Sequence, residues 1–377
     1  METAYLDPRS GATYPLATPL WRAPSGAPLL LTPMPGIGRA GIDRAARGPW
    51  RYAAALPFRA HDPISLGEGS TPLLARRFFG AKAFVKCEWM MPTGSFKDRG
   101  AAVMLSLLRQ QGVTAVLEDS SGNGGAAIAA YAAAGGMAAT IMAPASTSPA
   151  KTVAMRAAGA AVELVPGSRQ DTADAAVARA ATLFYASHNW HPFFLHGTKT
   201  LAYELWEDLD YSVPDNILIP CGAGSNVLGC AIGFAELMRA GMISRLPRLF
   251  AVQPQNCGPI AAAFAAGAPD AVPVAIAPTI AEGTAIARPV RMPEVLAALR
   301  GSGGGAVAIA EDRIAAAALA LAGAGLYVEP TCAQVLAGFE DLLHAGTIAP
   351  EQTSVLVLTG AGAKATPRFA EILGIAL

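Results

Sequence analysis

Charge is scarce in this 377-residue chain: 15% of residues are charged, and 28 lysines and arginines balance 28 aspartates and glutamates to a formal net charge of zero. Nucleic acid and anionic membranes are held by clustered positive charge, so neither is an expected partner. Lysine is the rarest charge, at six residues (Lys82, Lys86, Lys97, Lys151, Lys199 and Lys364). The five cysteines form no C-x-x-C pair, which fits neither a disulfide framework nor a zinc ribbon. The uncharged stretch 126–145 is as long as a membrane span, but it is mostly Ala and Gly and is broken at Gly135-Gly136. It reads as a helix, a turn and a strand. The first residues lack the basic and apolar regions of a secretory signal, so a cytoplasmic protein is expected.

What is present is length, with 53% hydrophobic residues, enough for roughly two domains on a prior of ~150 residues each. The first sixty residues are rich in Pro, Gly and Arg and predict an irregular arm. Beyond them, strands are expected at 83–89, 115–119, 138–142 and 161–165, with helices at 97–111, 126–134, 149–158 and 171–182. The rhythm resumes with strands at 216–220, 249–253 and 355–359 and helices at 226–240 and 312–324. Strands alternating with helices of ten to fifteen residues specify α/β architecture. Two doubly wound open sheets with a cleft between them follow, and ligands in such sheets sit at the carboxyl ends of strands.

Three segments fall where a strand should hand over to a helix. In 92–100, PTGSFKDRG, Lys97 opens a helix where the macrodipole favours anions. It is either a surface lysine or an amine tuned by its site to form an imine with a carbonyl. In 119–125, DSSGNGG, backbone amides at a helix start suit a carboxylate, although an ordinary N-cap with a glycine turn reads equally well. In 221–226, CGAGSN, small residues before a helix meet the needs of a phosphate cup. The cup lacks the G-x-G-x-x-G spacing and the Walker lysine, so a mononucleotide site is poorly supported. An imine-forming lysine, a carboxylate cradle and a phosphate cup together describe a cofactor that is both aldehyde and phosphate, as pyridoxal phosphate is.

From about Leu66 onward the sequence also resembles the fold-type II pyridoxal-phosphate enzymes of the tryptophan synthase beta superfamily, and within them the threonine synthases. The resemblance is carried by Gly67-Glu68-Gly69-Ser70-Thr71-Pro72-Leu73, Ser95-Phe96-Lys97-Asp98-Arg99, Ser121-Gly122-Asn123, Gly197-Thr198-Lys199-Thr200 and Thr359-Gly360. It implies an arm over 1–65, a large cofactor-binding domain from 66–100 and 198–377, and a small mobile domain over 101–197, with the cofactor in the cleft. Lys97 would form the Schiff base and move protons at Cα. Asn123 would bond the ring hydroxyl, Gly222, Ala223, Gly224, Ser225 and Asn226 would hold the phosphate, and Thr359 would face the pyridine nitrogen. A hydroxyl there leaves that nitrogen largely unprotonated, which favours elimination and replacement over transamination. Ser120, Ser121, Gly122 and Gly124 would hold the substrate carboxylate, with His188, Asn189 and Phe194 near the small amino-acid substrate. A homodimer is also implied.

Departures from the family pattern sharpen the expectation. Segments 7–11 and 23–26 keep the spacing of an N-terminal ribbon without its cysteines, so no zinc is expected. Threonine synthases hold the phosphate of O-phosphohomoserine with a hydroxyl just after Ser-Gly-Asn and an arginine shortly before Gly-x-Lys-Thr; here those places hold Gly124 and Phe193-Phe194. A phenyl ring cannot replace a bidentate guanidinium. The family-level expectation is threonine synthesis by a lyase-type reaction, with a serine/threonine ammonia-lyase or β-replacement enzyme as the alternative and a non-catalytic cofactor-binding protein as the third. His188, His191 and His196 are either pocket residues or packing and capping residues. Lys199 is a surface residue or helps to hold a loop or an anion. In 281–289, a segment similar to one in serine and threonine ammonia-lyases, Glu282 is a loop charge and Gly283 is expected to let backbone approach the cofactor.

Overall fold

Over residues 3–376, which the computed structural model describes, apolar runs become strands and glycine-terminated amphipathic runs become helices. The chain divides into two compact units: Met1–Gly69 with Lys97–Thr200, and Ser70–Phe96 with Leu201–Leu377. The expected dividing points at 65/66, 100/101 and 197/198 thus fall a few residues away from these. Helix α1 (Lys97–Gln110), Lys97 included, goes with the smaller unit.

In the first unit a parallel sheet has the order β8 (Ala161–Val165), β7 (Ala138–Pro144), β6 (Ala115–Glu118), β9 (Phe184–Tyr185). The chain steps from β6 outward through β7 and β8, then returns to the opposite side of β6 as β9. The carboxyl ends of β6 and β9 therefore flank a topological switch point, the usual place for a ligand crevice. Helices α1, α2 (Asn123–Ala134), α3 (Pro149–Ala157), α4 (Arg169–Arg179) and α5 (Pro192–Thr198) belong to this unit. Alanine supplies much of the packing: Ala101, Ala102, Ala127, Ala129 and Ala132 are buried beside Leu105, Ile128 and Tyr131, letting backbones approach closely.

The N-terminal segment is less irregular than its composition predicts. Strands β1 (Ala4–Leu6), β2 (Thr13–Pro15) and β3 (Leu30–Leu31) form a small antiparallel sheet, too short for a period-2 pattern to register. Between them Asp7 is fully buried, accepting from the Arg9 amide at 2.9 Å and the Ser10 hydroxyl at 2.8 Å. The Ser25 side chain joins from the second ribbon-like loop, and these hydrogen bonds hold the Asp7 carboxyl down at about 2.

In the second unit a mixed sheet runs β12 (Gly305–Ile309), β11 (Arg248–Pro254), β10 (Asn216–Pro220), β13 (Ser354–Leu358), β5 (Ala81–Cys87), β4 (Leu73–Phe78). Only the β4–β5 pair is antiparallel. Every residue of β10 and β13 is buried. Leu218, Leu356 and Leu358 join the core built with α10 (Glu311–Gly323) and α11 (Pro330–His344), while the alternate residues Ile217, Ile219, Val355 and Val357 point the other way. Burial on both faces is the signature of a parallel, doubly wound sheet, and each such side chain contributes about 1.5–3 kcal/mol. The remaining helices are α6 (Thr200–Asp208), α7 (Ser225–Arg239), α8 (Pro259–Ala265), α9 (Met292–Gly301) and α12 (Thr366–Leu373). The chain steps from β10 outward through β11 and β12, then returns to the opposite side of β10 as β13, so a second switch point lies at the carboxyl ends of β10 and β13. No helix among the described residues is long and apolar enough to cross a membrane.

Candidate active site

The glycine turn after β10 has the form expected of an anion cup. Gly224 is the N-cap of α7 at φ +90°, a left-handed conformation, and a Cβ there would stand 2.3 Å from Val295. A Cβ on Gly222 would meet Ile286 at 3.1 Å and the Cα of Thr284 at 3.2 Å. The Gln253 side-chain amide donates to the Cys221 carbonyl at 2.9 Å, fixing the turn. Ser225 and Asn226 open α7, where backbone N–H groups have no intrahelical acceptor. Asn226 is 2% exposed, and neither polar atom of its side chain has a hydrogen-bond partner among the described residues. Buried amide groups are normally satisfied, so an unsatisfied one beside a glycine cup fits a site completed by a polar ligand.

Thr359 lies just beyond β13, at the same switch point as the cup. Its amide and that of Gly360 donate to Cys332 Sγ at 3.2 and 2.9 Å. Its carbonyl accepts from the Phe96 amide at 3.0 Å. A Cβ on Gly360 would lie 2.5 Å from the Glu329 carboxylate, so a side chain there would displace that carboxylate. The Gly283 amide donates to Thr331 Oγ1 at 3.0 Å, and Glu282 is paired with Arg368.

In the first unit, Lys97 opens α1 and its Nζ lies 5.5 Å from the ring centroid of Phe194 on α5. Phe194 is fully buried. A Cβ on Gly100 would stand 2.5 Å from that ring, and one on Gly197 would stand 2.2 Å from the Arg99 carbonyl, so two glycines let α1 and α5 cross nearly backbone to backbone. Helix α2 begins at Asn123, three residues earlier than its apolar pattern predicts, because glycines carry no periodicity. Asn123, Gly124 and Gly125 therefore form its first turn, where backbone amides have no intrahelical acceptor. Against them stands His188: a Cβ on Gly124 would be 2.7 Å from its Cε1 and Nδ1.

His191 caps α5, its Nδ1 accepting from the Phe193 amide at 3.3 Å, and its ring stacks on Phe193 at 5.1 Å. Capping and packing therefore account for it. His196 is buried in α5, and burial, reinforced by Lys199, holds its pKa well below the ordinary value. Lys199 is no surface residue: it is fully buried and donates to the Ala55 carbonyl at 2.6 Å, anchoring the N-terminal segment. Ser120 accepts from the Gly122 amide at 3.3 Å and Asn189 donates its amide to Ser187 Oγ at 3.3 Å, both shaping loops beside the cradle.

The sequence did not single out Glu118, Asp119 and Arg169. Glu118 is fully buried and accepts from the Asp119 and His188 amides at 2.9 and 3.0 Å, and its Oε1 lies 3.0 Å from His188 Nδ1. Asp119 pairs with Arg169 at 2.8 Å. Burial pushes both carboxyls upward, opposed at Glu118 by the His188 amide and at Asp119 by the Arg169 charge. Burial, and after it the Lys97 charge, drives the His188 pKa well down, so its ring is neutral. Two consecutive acids ending an apolar strand were the available signal.

In the second unit the side-chain-free cup and the unsatisfied buried Asn226 fit the phosphate of pyridoxal phosphate, and in the first unit the lysine at a helix start fits its aldehyde. Comparison with known proteins agrees. Residues 64–360 match the family model described as pyridoxal-phosphate dependent enzyme. The chain is similar to threonine synthase of Methanocaldococcus jannaschii, at 36% identity over 84% of this chain and 80% of that one. It is also similar to threonine synthase of Mycobacterium tuberculosis, at 30% identity over 88% and 89%. Among solved structures, a serine ammonia-lyase from Rhizomucor miehei superposes with a TM-score of 0.71 at 21% identity, covering 83% of this chain and 99% of that one. A processed threonine deaminase from Solanum lycopersicum does so with a TM-score of 0.68 at 23% identity, covering 81% and 88%. These two carry the fold. With most of its length matched by the family model and by relatives at 30–36% identity, the chain belongs to the pyridoxal-phosphate-dependent enzymes of fold type II.

Proposed function

We propose that this enzyme performs elimination or replacement on a small amino acid whose side chain is not phosphorylated. The observation that carries this reading is Phe194, fully buried against Gly100 and near Lys97, where the resemblance to threonine synthases calls for an arginine. An aromatic ring and a neutral imidazole, with two buried carboxylates behind them, form a poor site for a phosphate dianion.

Bound pyridoxal phosphate supplies the ring that accepts the electron pair left at the substrate Cα. The chain supplies the rest. Lys97 would hold the cofactor covalently until the substrate amine takes its place, and the amine so released would take the Cα proton. Asn123 would bond the ring hydroxyl, and the amides of Gly222, Ala223, Gly224, Ser225 and Asn226 would hold the phosphate. Thr359 would offer a neutral hydroxyl to the pyridine nitrogen. Ser120, Ser121 and the amides from Gly122 to Gly124 orient the substrate carboxylate, with Asn189 in the adjoining loop. A homodimer, a cytoplasmic location and a small domain that moves on binding accompany this reading by family likeness.

Threonine synthesis from O-phosphohomoserine is the second reading, favoured by the 30–36% identity to threonine synthases over more than four-fifths of this chain. A substrate panel separates the two. Oxo acid and ammonia from serine or threonine, or replacement at a free hydroxyl amino acid, supports the first; phosphate release with threonine formation from O-phosphohomoserine overturns it. The purified enzyme should be yellow, borohydride should fix the cofactor at Lys97, and Lys97→Ala should abolish turnover while preserving the fold.

A further inference from the structure

His188 and Glu118 form a unit that the reaction above leaves unused. They are seventy residues apart in sequence and meet because β9 pairs beside β6, with the Ala186 amide bonding the Leu117 carbonyl at 2.8 Å just before the turn to His188. Glu118 accepts from the Asp119 and His188 amides, and its Oε1 lies 3.0 Å from His188 Nδ1. Each Glu118 oxygen accepts a backbone amide, which favours the ionised, acceptor-only form against the effect of burial; opposite an ionised Glu118, Nδ1 carries the ring proton. A neutral imidazole with its proton on Nδ1 has a bare lone pair on Nε2. The same ring lies against Gly124 of the carboxylate cradle and feels the charge of Lys97.

We infer that His188, locked by Glu118 with its proton on Nδ1, is a specificity-determining residue that accepts a hydrogen bond from the free side-chain hydroxyl of the substrate amino acid. A hydroxyl can donate to Nε2. A phosphate dianion is itself only an acceptor and finds no donor there. The two departures at this corner are thereby one device: Gly124 lacks the hydroxyl found in threonine synthases because His188 occupies the space a side chain would need. The inference rests on the reading of a non-phosphorylated substrate and names its class as small hydroxyl amino acids such as serine, threonine or homoserine.

The test compares serine with alanine, which keeps the amine and carboxylate and lacks only the hydroxyl. Dissociation constants are read from the absorbance of the bound cofactor in the holoenzyme. His188→Asn retains a nitrogen to face Glu118 and removes the outer acceptor; it should weaken serine by about tenfold while leaving alanine nearly unchanged. Long-range nitrogen–proton spectra of histidine-labelled holoenzyme, assigned with the same variant, should show the Nδ1–H tautomer for His188. Glu118→Gln, which can donate through its amide, should shift the ring toward Nε2–H and reduce the preference for serine. Equal weakening of serine and alanine, or an Nε2–H tautomer in the unaltered enzyme, overturns the inference alone. Turnover of O-phosphohomoserine with phosphate release overturns both it and the reading on which it rests.

Discussion

Cys332 Sγ lies 3.3 Å from Thr359 Oγ1 while accepting the amides of Thr359 and Gly360 at 3.2 and 2.9 Å. Burial, reinforced by Glu329, pushes this thiol up to about 12, so it remains neutral and its sulfur anchors the turn that presents Thr359. Cys332→Ala leaves two buried amides without their acceptor and should cost about 1–3 kcal/mol in urea unfolding. It should also shift the visible absorbance of the bound cofactor, whereas Cys332→Ser, which keeps an acceptor, should do less of both. An unchanged spectrum in the alanine variant would separate Cys332 from Thr359.

Gly224→Ala is expected to weaken cofactor binding sharply. Its left-handed backbone costs an alanine roughly 1–2 kcal/mol, and the new methyl would stand 2.3 Å from Val295, forcing α7 and α9 apart at the cup. Pyridoxal phosphate titration followed by fluorescence should show at least about tenfold weaker binding. Gly136→Ala, also at positive φ but with nothing near its Cβ, is the control for backbone strain alone and should leave the affinity unchanged.

The crossing of α1 and α5 makes a paired prediction. Gly100→Ala should destabilise the protein by about 1–3 kcal/mol through overpacking against the Phe194 ring, and Phe194→Leu should recover part of the loss in the double variant. Thermal melts of the two single variants and the double variant measure this coupling. Strict additivity would mean that the two residues do not share one space.

Acid should destabilise the fold beginning near neutrality. His188 and His196 have folded pKa values held below their ordinary 6.5 by burial, so below that pH the unfolded chain binds protons that the folded chain refuses. Stability from this source is complete above about 6.5 and falls as pH decreases, by up to about 1.4 kcal/mol per pH unit for each histidine. Asp7 adds a second loss at lower pH, as its carboxylate is protonated between its unfolded value near 3.8 and about 2. Urea midpoints at pH 7.5, 6.5 and 5.5 should decline, and His196→Gln should flatten the slope. Equal midpoints across this range would contradict the assignment.

Much of the architecture was legible in the sequence because parallel strands buried on both faces are short apolar runs, and glycines such as Gly112 mark where helices stop. The strands at 161–165 and 216–220 appear at their expected bounds. Strands β4, β9 and β12 escaped: β9 has only two residues, and β4 at the sheet edge carries Arg76 and Arg77 outward. Helix α5 escaped too, since its seven residues are all buried and show no polar face from which to read a period.

By itself the sequence determined the strand-to-helix junctions and the residue types placed on them, because turn chemistry and lysine scarcity are local properties. The tertiary structure decided what those residues face. Glu118 meets His188, and Phe194 lies over Gly100, only because β9 returns beside β6 and α5 crosses α1. Contacts between segments seventy or ninety residues apart depend on sheet order and helix crossing, which no local pattern encodes. Those contacts set His188 against Glu118 and a phenyl ring against Gly100.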